Sequence, residues 1–295
     1  MKRLLLLTLC GPLLMAADLK IDHATVAGSD LKKMQAALSA VGLASIYGGA
    51  HTNHTTEMAL ISFPDGSYLE LMALQPGADR KLVEEHVWSR FLLGDAGPCA
   101  WAVREPDIVA EVRRLQAAGI PVSAPSKSGR QRPDGFRLEW QTSDVGRGVR
   151  GTFFPFLIQD FTPRDQRAFP QGKPTTRDFR GVGKVVIAVK NLDEAIARYH
   201  QAYGAPPPLK QVDKDFQAHL ALLSGSPVIL VQPLNADSWL NERLDRFGEG
   251  PCAFLLSTAP GKKFRTSSRS NWFGAPIEWF DPAALGWRLG VERAN

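Results

Sequence analysis

The sequence predicts an α+β fold built from tandem βαβββ modules, paired into two domains of which the second is degenerate. The main observation is an internal repeat, because residues 21–27 match residues 182–188 and a stretch with helical spacing follows each. Weaker copies lie between and after these two, since residues 97–101 recur as residues 250–254. Two strong and two weak copies therefore predict four modules, two in each domain.

The first module shows the unit most clearly. Residues 21–27 alternate polar and apolar side chains, which predicts a half-buried strand. Asp30 suits the N-cap of the helix that follows, and Gly42 is typical of the position just after a helix ends. A loop rich in Gly, Thr and His comes next, and two strands then flank a Pro-Asp-Gly turn. These three parts are predicted at residues 48–54, 57–63 and 67–74.

The other modules repeat this order more loosely. The second has a predicted helix at 106–118 and strands at 136–142 and 151–158, and the third has a helix at 192–203 and strands at 216–223 and 227–232. The fourth shows no clear helix, and its closing strand is predicted at 274–278. We accordingly divide the chain into a first domain at 18–160, a linker at 161–180 rich in proline and charge, and a second domain at 181–295.

The N-terminus is predicted to be a signal peptide over residues 1–17. Lys2 and Arg3 precede an apolar run from Leu4 to Met15, and small residues come just before Asp18. The apolar run is too short for a stable membrane anchor, and no later stretch approaches spanning length. We therefore expect a periplasmic or secreted protein, with no contact to membrane beyond the signal peptide.

Composition and charge exclude several classes of partner. The chain is 44% hydrophobic and 22% charged, which is typical of a globular protein. Without Lys2 and Arg3, 33 basic and 30 acidic residues remain, an excess too small to indicate nucleic acid as a partner. Cys99 and Cys252 occupy equivalent positions in different modules, so we expect two buried thiols rather than a disulfide.

Three motifs carry a resemblance to a known family. They are the strand start at residues 21–23, the Gly48-Gly49 loop with His51, and residues 65–71. In this order they resemble the vicinal oxygen chelate superfamily, in particular its glyoxalase-like branch. That resemblance implies that paired modules form one cup, with a divalent metal held by the first and fourth strands. Such a metal polarises oxygen atoms of a small organic substrate.

The resemblance assigns metal positions residue by residue. The first-strand positions hold His23, Ala100, Lys184 and Ala253, and the fourth-strand positions hold Glu70, Pro155, Ile229 and Glu278. The first domain therefore supplies His23 and Glu70, a donor pair that suits Zn, Fe, Mn or Ni. The second domain is expected to have no site of this type.

Strand alternation predicts what else faces the first cup. If the side chains of His23 and Glu70 point inward, so do those of Thr25, Ala27, Tyr68, Met72, Ala102, Phe153 and Leu157. We therefore expect a mostly apolar cavity for a small organic ligand. Its predicted substrate-binding residues are His51, His54, Tyr68, Met72 and Phe153.

Two functions remain open at this stage. The first is an exported, metal-dependent lyase, isomerase or dioxygenase in which water, His51 or His54 completes the metal shell. In this enzyme Glu70 could alternatively act as the catalytic base. The second is a cup of the same fold that binds or sequesters a small molecule without turnover. The His23 and Glu70 side chains could also simply hydrogen-bond to each other. The second domain could serve to cover the sheet edges of the first.

Overall fold

The computed structural model describes residues 18–293, so the predicted signal peptide lies outside the described residues. The first half of the described chain contains eight strands and five helices. The strands are β1 (Ile21–Ala27), β2 (Ile46–Ala50), β3 (Thr56–Ser62), β4 (Tyr68–Leu74), β5 (Gly97–Arg104), β6 (Ser126–Gln131), β7 (Arg137–Ser143) and β8 (Phe156–Asp160). The helices are α1 (Leu31–Ala40), α2 (Arg80–Glu85), α3 (Ser89–Leu93), α4 (Ile108–Ala117) and α5 (Arg164–Ala168).

The second half repeats the strands but has fewer helices. The strands are β9 (Phe179–Ala188), β10 (Leu209–Asp213), β11 (Ala218–Leu222), β12 (Val228–Pro233), β13 (Gly250–Thr258), β14 (Ser268–Trp272), β15 (Ala275–Trp279) and β16 (Arg288–Glu292). The helices are α6 (Leu192–Tyr203), α7 (Trp239–Phe247) and α8 (Pro282–Leu285). Within residues 18–293, no helix has the length and apolar character needed to cross a bilayer.

The strands form two eight-stranded sheets with the same topology. Their orders are β2-β3-β4-β1-β5-β8-β7-β6 and β10-β11-β12-β9-β13-β16-β15-β14. In each sheet the first strands of two modules pair antiparallel, and each first strand pairs parallel with the fourth strand of its own module. The predicted α+β fold of tandem βαβββ modules is confirmed.

Local chemistry explains why these elements begin and end where they do. The Asp30 carboxylate caps α1 by accepting from the backbone N–H of Lys33 at 3.0 Å. Gly42 follows α1 with a φ of 86°, a conformation that glycine adopts without strain. The pairing of the first strands shifts register beside Cys99 and again beside Cys252, so the repeat extends to a β-bulge in each sheet. Both thiols are free and buried.

One hydrophobic core joins the two sheets. It contains side chains from both sheets and from four helices that pack on them, α1, α4, α6 and α8. Tyr199 of α6, for example, donates its hydroxyl proton to the carbonyl of Phe153 at 2.6 Å. The two sheets are therefore packed as one unit.

The fourth strands of the weak modules differ from the sequence prediction. The strand that pairs parallel with β13 is β16, whereas Glu278 lies on its neighbour β15. Glu278 is paired there with Arg293 at 2.9 Å, so it is a buried structural carboxylate. In the second module the residue at the register of Glu70 is Phe156 rather than Pro155. The sequence prediction of these positions was wrong because short, irregular strands carry little periodic signal.

The concave faces of the two sheets, which we call the first cup and the second cup, are occupied differently. In the second cup the rings of Phe216, Trp272 and Trp279 pack against one another, with centroids 5.0 to 5.3 Å apart. Leu240 and Leu244 of α7 belong to the same buried cluster. The second cup is therefore filled by side chains, whereas the first is open.

Candidate functional site

The first cup contains a cavity of about 540 Å³. This volume lies within the range of small-molecule sites, roughly 300 to 1,000 Å³. Its walls come from both modules of the first sheet, and the segments between strands contribute as well. The side chains that matter for its chemistry are His23, His51, Tyr68, Glu70, Met72, His86, Trp88, Lys127, Ser128, Arg130, Trp140, Asp144, Arg150, Phe156 and Arg167.

His23 is held rigidly at the base of the cup. Its Nδ1 lies 2.6 Å from the carboxylate of Asp22, and its ring stacks on Tyr68 with centroids 4.9 Å apart. The edge of Phe156 closes the other side at 5.3 Å. Because Nδ1 is engaged, Nε2 is the nitrogen left to face the cavity. A carboxylate on the distant nitrogen of an imidazole is the usual support of a metal-binding histidine.

Glu70 lies between two imidazoles. Its Oε2 is 3.8 Å from Nε2 of His23, and its Oε1 is 4.0 Å from Nε2 of His51. Neither separation is a hydrogen bond, so the His23–Glu70 pair is not a direct buried hydrogen bond. Oε2 does accept from the hydroxyl of Thr25, at 3.2 Å. Thr25 thus orients the carboxylate. Each carboxylate oxygen faces the Nε2 of one histidine, and that nitrogen carries a lone pair when the proton of the ring is on Nδ1.

His51 mirrors His23 in its hydrogen bonding. Its Nδ1 lies 2.8 Å from the hydroxyl of Thr56, again leaving Nε2 toward Glu70. Burial lowers the pKa of His51 below its ordinary value; Glu70 opposes this shift and Arg130 adds to it. A lowered pKa favours the neutral imidazole, which is the form that binds metal.

A buried ionic network lies beneath His23 and fixes Asp22. Arg167 donates to both oxygens of Asp22, at 3.0 and 2.8 Å, and to the hydroxyl of Tyr68 at 2.6 Å. Burial opposes ionisation of Asp22, but Arg167 and Arg164 outweigh it and hold the pKa of Asp22 well below its ordinary value. Burial raises the pKa of Tyr68, which keeps its hydroxyl protonated. Asp22 is therefore a fixed anion that supports His23.

The residues predicted to bind substrate are only partly brought together. Tyr68, Met72 and His51 line the cavity, as strand alternation and the loop position had suggested. His54 is exposed on the loop, with a φ of 56°, and does not line the cavity. Phe153 faces the core shared with α6, where its ring contacts that of Tyr199 at 5.2 Å. Alternation predicted the wrong face for Phe153, because regular β8 begins only at Phe156.

The expectation of a mostly apolar cavity was wrong. Three arginine side chains line it against two carboxylates, Arg130, Arg150 and Arg167 against Glu70 and Asp144. Lys127 and Arg130 lie on β6, an edge strand that the sequence analysis did not assign. Arg167 lies on α5, within the segment predicted as a linker. The signal that could have located β6 is the polar run at residues 126–131 opposite the predicted strand at 136–142.

The donor set around Glu70 is chemically suited to a divalent metal, but its atoms lie farther apart than the donors of a bound metal do. Two imidazoles and one carboxylate match Zn, Fe, Mn or Ni. Among residues 18–293, however, no three His, Cys, Asp or Glu side chains form a compact metal-binding cluster. Two donors on a tetrahedral metal lie about 3.3 Å apart, so the separations of 3.8 and 4.0 Å would have to contract by well under ~1 Å.

Comparison with known proteins gives the following relatives. A family model described as a glyoxalase-like domain matches residues 21–203, which include both modules of the first sheet. A hypothetical protein from Staphylococcus aureus shares the fold, with a TM-score of 0.63 at 15% identity, covering 94% of this chain and 100% of its own. Methylmalonyl-CoA epimerase from Mycobacterium tuberculosis aligns at 21% identity over 42% of this chain and 93% of its own, with a TM-score of 0.36. The search of curated proteins gives no match.

Proposed function

Because this chain belongs to the glyoxalase-like domain family, as its motifs predicted, we propose that it is a metal-dependent enzyme. The proposed substrate is a small organic molecule with neighbouring oxygen atoms, bound in the first cup. His23, His51 and Glu70 hold the metal. The observation that carries this proposal is the shared arrangement of the two histidines, each engaged through Nδ1 and each facing Glu70 through Nε2.

The surroundings of these three residues support the proposal. Both partners of Nδ1, Asp22 and Thr56, are fully buried, so each imidazole is fixed before any ligand arrives. Fixed ligands reduce the entropy lost on binding, which is why such partners raise metal affinity. Burying the charges around Asp22 costs desolvation free energy, which is easier to explain if the histidine that they orient binds a ligand.

The chemistry follows from the groups at the base of the cup. A bound divalent metal supplies a Lewis acid that polarises a substrate carbonyl. Besides holding the metal, Glu70 would serve as the base that takes a proton from the carbon next to that carbonyl and returns it to the substrate. Tyr68, which keeps its proton, lies beside His23 and offers a hydroxyl at the same wall. This assignment favours a lyase or isomerase over a dioxygenase.

A second candidate is a cup that binds its ligand without turnover. The separations of 3.8 and 4.0 Å between Glu70 and the two imidazoles favour it, because both exceed the roughly 3.3 Å that separates two donors on one tetrahedral metal. The aromatic side chains of Trp88 and Trp140 would then supply much of the binding. Chelator treatment separates the two candidates, since ligand affinity falls only if the metal takes part in binding.

The proposal is tested by metal content. Elemental analysis of protein purified without chelators should find near-stoichiometric Zn, Fe, Mn or Ni, and the metal should be lost in His23→Ala, His51→Ala and Glu70→Gln. His86→Ala is the matched control, because His86 lines the same cavity but is not one of the proposed ligands. Unchanged metal in His23→Ala, with the fold intact by circular dichroism, would contradict the proposal.

We also propose that the protein is exported. This part of the proposal is supported by the sequence of residues 1–17 alone.

A further inference from the structure

Arg130 is a buried charge in the first cup that forms no ion pair with any carboxylate of residues 18–293. It lies on β6, is only 4% exposed and lines the cavity. One of its five N–H groups has a partner, because Nη1 donates to the carbonyl of Gly48 at 2.7 Å. Within residues 18–293, Arg130 forms no ion pair with a carboxylate, and Glu70 is not within 4.0 Å of it.

The other arginines of the cavity wall do not share this property. Arg167 is neutralised by Asp22 and Asp160, and Arg150 by Asp144 at 2.6 Å. Buried guanidinium groups are normally paired, because removing an ion from water costs several kcal/mol. Burial lowers the pKa of Arg130, but an arginine side chain remains charged in a protein. Glu70 attracts this charge without forming an ion pair, so the N–H groups of Arg130 that have no partner are free to bind an anion from outside the chain.

The wall around Arg130 can bind the oxygens of such an anion. On β6, alternation puts Ser126 and Ser128 on the same face as Arg130, and both line the cavity. The planar fork of an arginine matches two oxygens of a carboxylate or a phosphate.

We infer that the first cup recognises an organic anion, a carboxylate or a phosphate ester, whose charged oxygens are bound by Arg130. This inference rests on the proposed function, in that the reacting oxygens of the same molecule face His23, His51 and Glu70. The two ends of the substrate thus contact different parts of the cup. Its anionic group meets β6, and its carbonyl end meets the base of the cup.

Anion binding to metal-free protein tests the inference. Inorganic phosphate and sodium benzoate are titrated by calorimetry at constant ionic strength, with benzamide as the uncharged counterpart of benzoate. We expect at least one of the two anions to bind. If benzoate binds, benzamide should bind at least 10-fold more weakly. Phosphate alone would identify a phosphate ester as the ligand, and benzoate alone a carboxylate. Binding of neither anion would overturn the inference.

Two variants assign the binding to Arg130. Arg130→Gln should weaken the anion at least 10-fold. Arg137→Gln should leave it unchanged, because Arg137 lies on the neighbouring β7 with a side chain that is 71% exposed. Equal affinities in the two variants would overturn the assignment. If Arg130→Gln does not fold, Arg130→Lys replaces it, and we expect at least a 3-fold loss because lysine lacks the fork. Unchanged affinity in Arg130→Lys would count against the inference.

The use of metal-free protein keeps this test separate from the proposed function. Anion binding that depends on Arg130, in a protein that takes up no metal, would support the inference and contradict the proposed enzyme. Metal uptake without anion binding would do the reverse.

Discussion

The two cups have the same topology and opposite contents. At the register of His23 and Glu70, the second sheet has Lys184 and Ile229. Lys184 is paired with Glu292 at 3.6 Å, and Ile229 is buried in the aromatic cluster. The second cup therefore contains neither donor, and packed hydrophobic side chains fill the space that is a cavity in the first cup.

One pair of equivalent positions in the two sheets shows which side chain fills the second cup. The strand pairings lead from β5 through β8 and β7 to β6, and from β13 through β16 and β15 to β14. When residues are matched along these two routes, Trp272 occupies the position in the second sheet that Ser128 occupies in the first. Ser128 is exposed at the open cavity, whereas Trp272 is 2% exposed and donates its ring N–H to Asp213 at 2.6 Å. The comparison teaches that the same sheet position can either leave room for a ligand or take its place.

The largest effect is expected from emptying the second cup. Trp272→Ser should lower the free energy of unfolding by about 3–5 kcal/mol, because it leaves a large cavity among buried rings. It also removes the hydrogen-bond partner of Asp213. Urea unfolding followed by circular dichroism measures the loss, and the metal content should not change.

The matched control for that variant is Trp140→Ser. Trp140 is half-buried and borders the open cavity, so its loss should cost only about 1–2 kcal/mol. Losses of the same size in Trp140→Ser and Trp272→Ser would show that the second cup is no more important to stability than the first.

The reverse change should close the first cup. Ser128→Trp places an indole on the wall beside Arg130 and Trp140, so we expect anion affinity to fall at least 10-fold. The free energy of unfolding should change by less than about 1 kcal/mol, because Ser128 is exposed. Calorimetric titration with phosphate or benzoate, whichever the unmodified protein binds, measures the effect, and Arg137→Trp on the outward face is the control. Unaltered affinity in Ser128→Trp would place the anion elsewhere.

The sequence predicted the parts of the site that lie on regular strands of the strongest module. His23, Tyr68, Glu70 and Met72 follow from the alternation of β1 and β4, since both strands are central and one register fixes every side chain. The repeat of these strands in the third module also predicted that the second sheet lacks the donor pair.

The rest could not be predicted, for physical reasons that differ between residues. Arg130 lies on an edge strand with polar side chains on both faces, so β6 has no hydrophobic alternation to detect. Arg167 comes from a short helix in a segment with the composition of a linker. His51 and His54 share one loop, and only the pairing of His51 with Thr56 shows which of the two turns inward.

The smallest expected effect concerns the support of one proposed metal ligand. Thr56→Val keeps the shape of a fully buried side chain but removes the hydroxyl that engages Nδ1 of His51. Loss of such a partner typically lowers metal affinity by about 10-fold or more, and we expect a loss of about 10-fold here. Competition with a chromophoric chelator measures it. Thr55→Val is the control, because the adjacent Thr55 hydroxyl donates to the backbone carbonyl of Asn53 and does not contact His51. Equal metal affinities in the two variants would mean that His51 is not oriented for a metal, and the donor set would then reduce to His23 and Glu70.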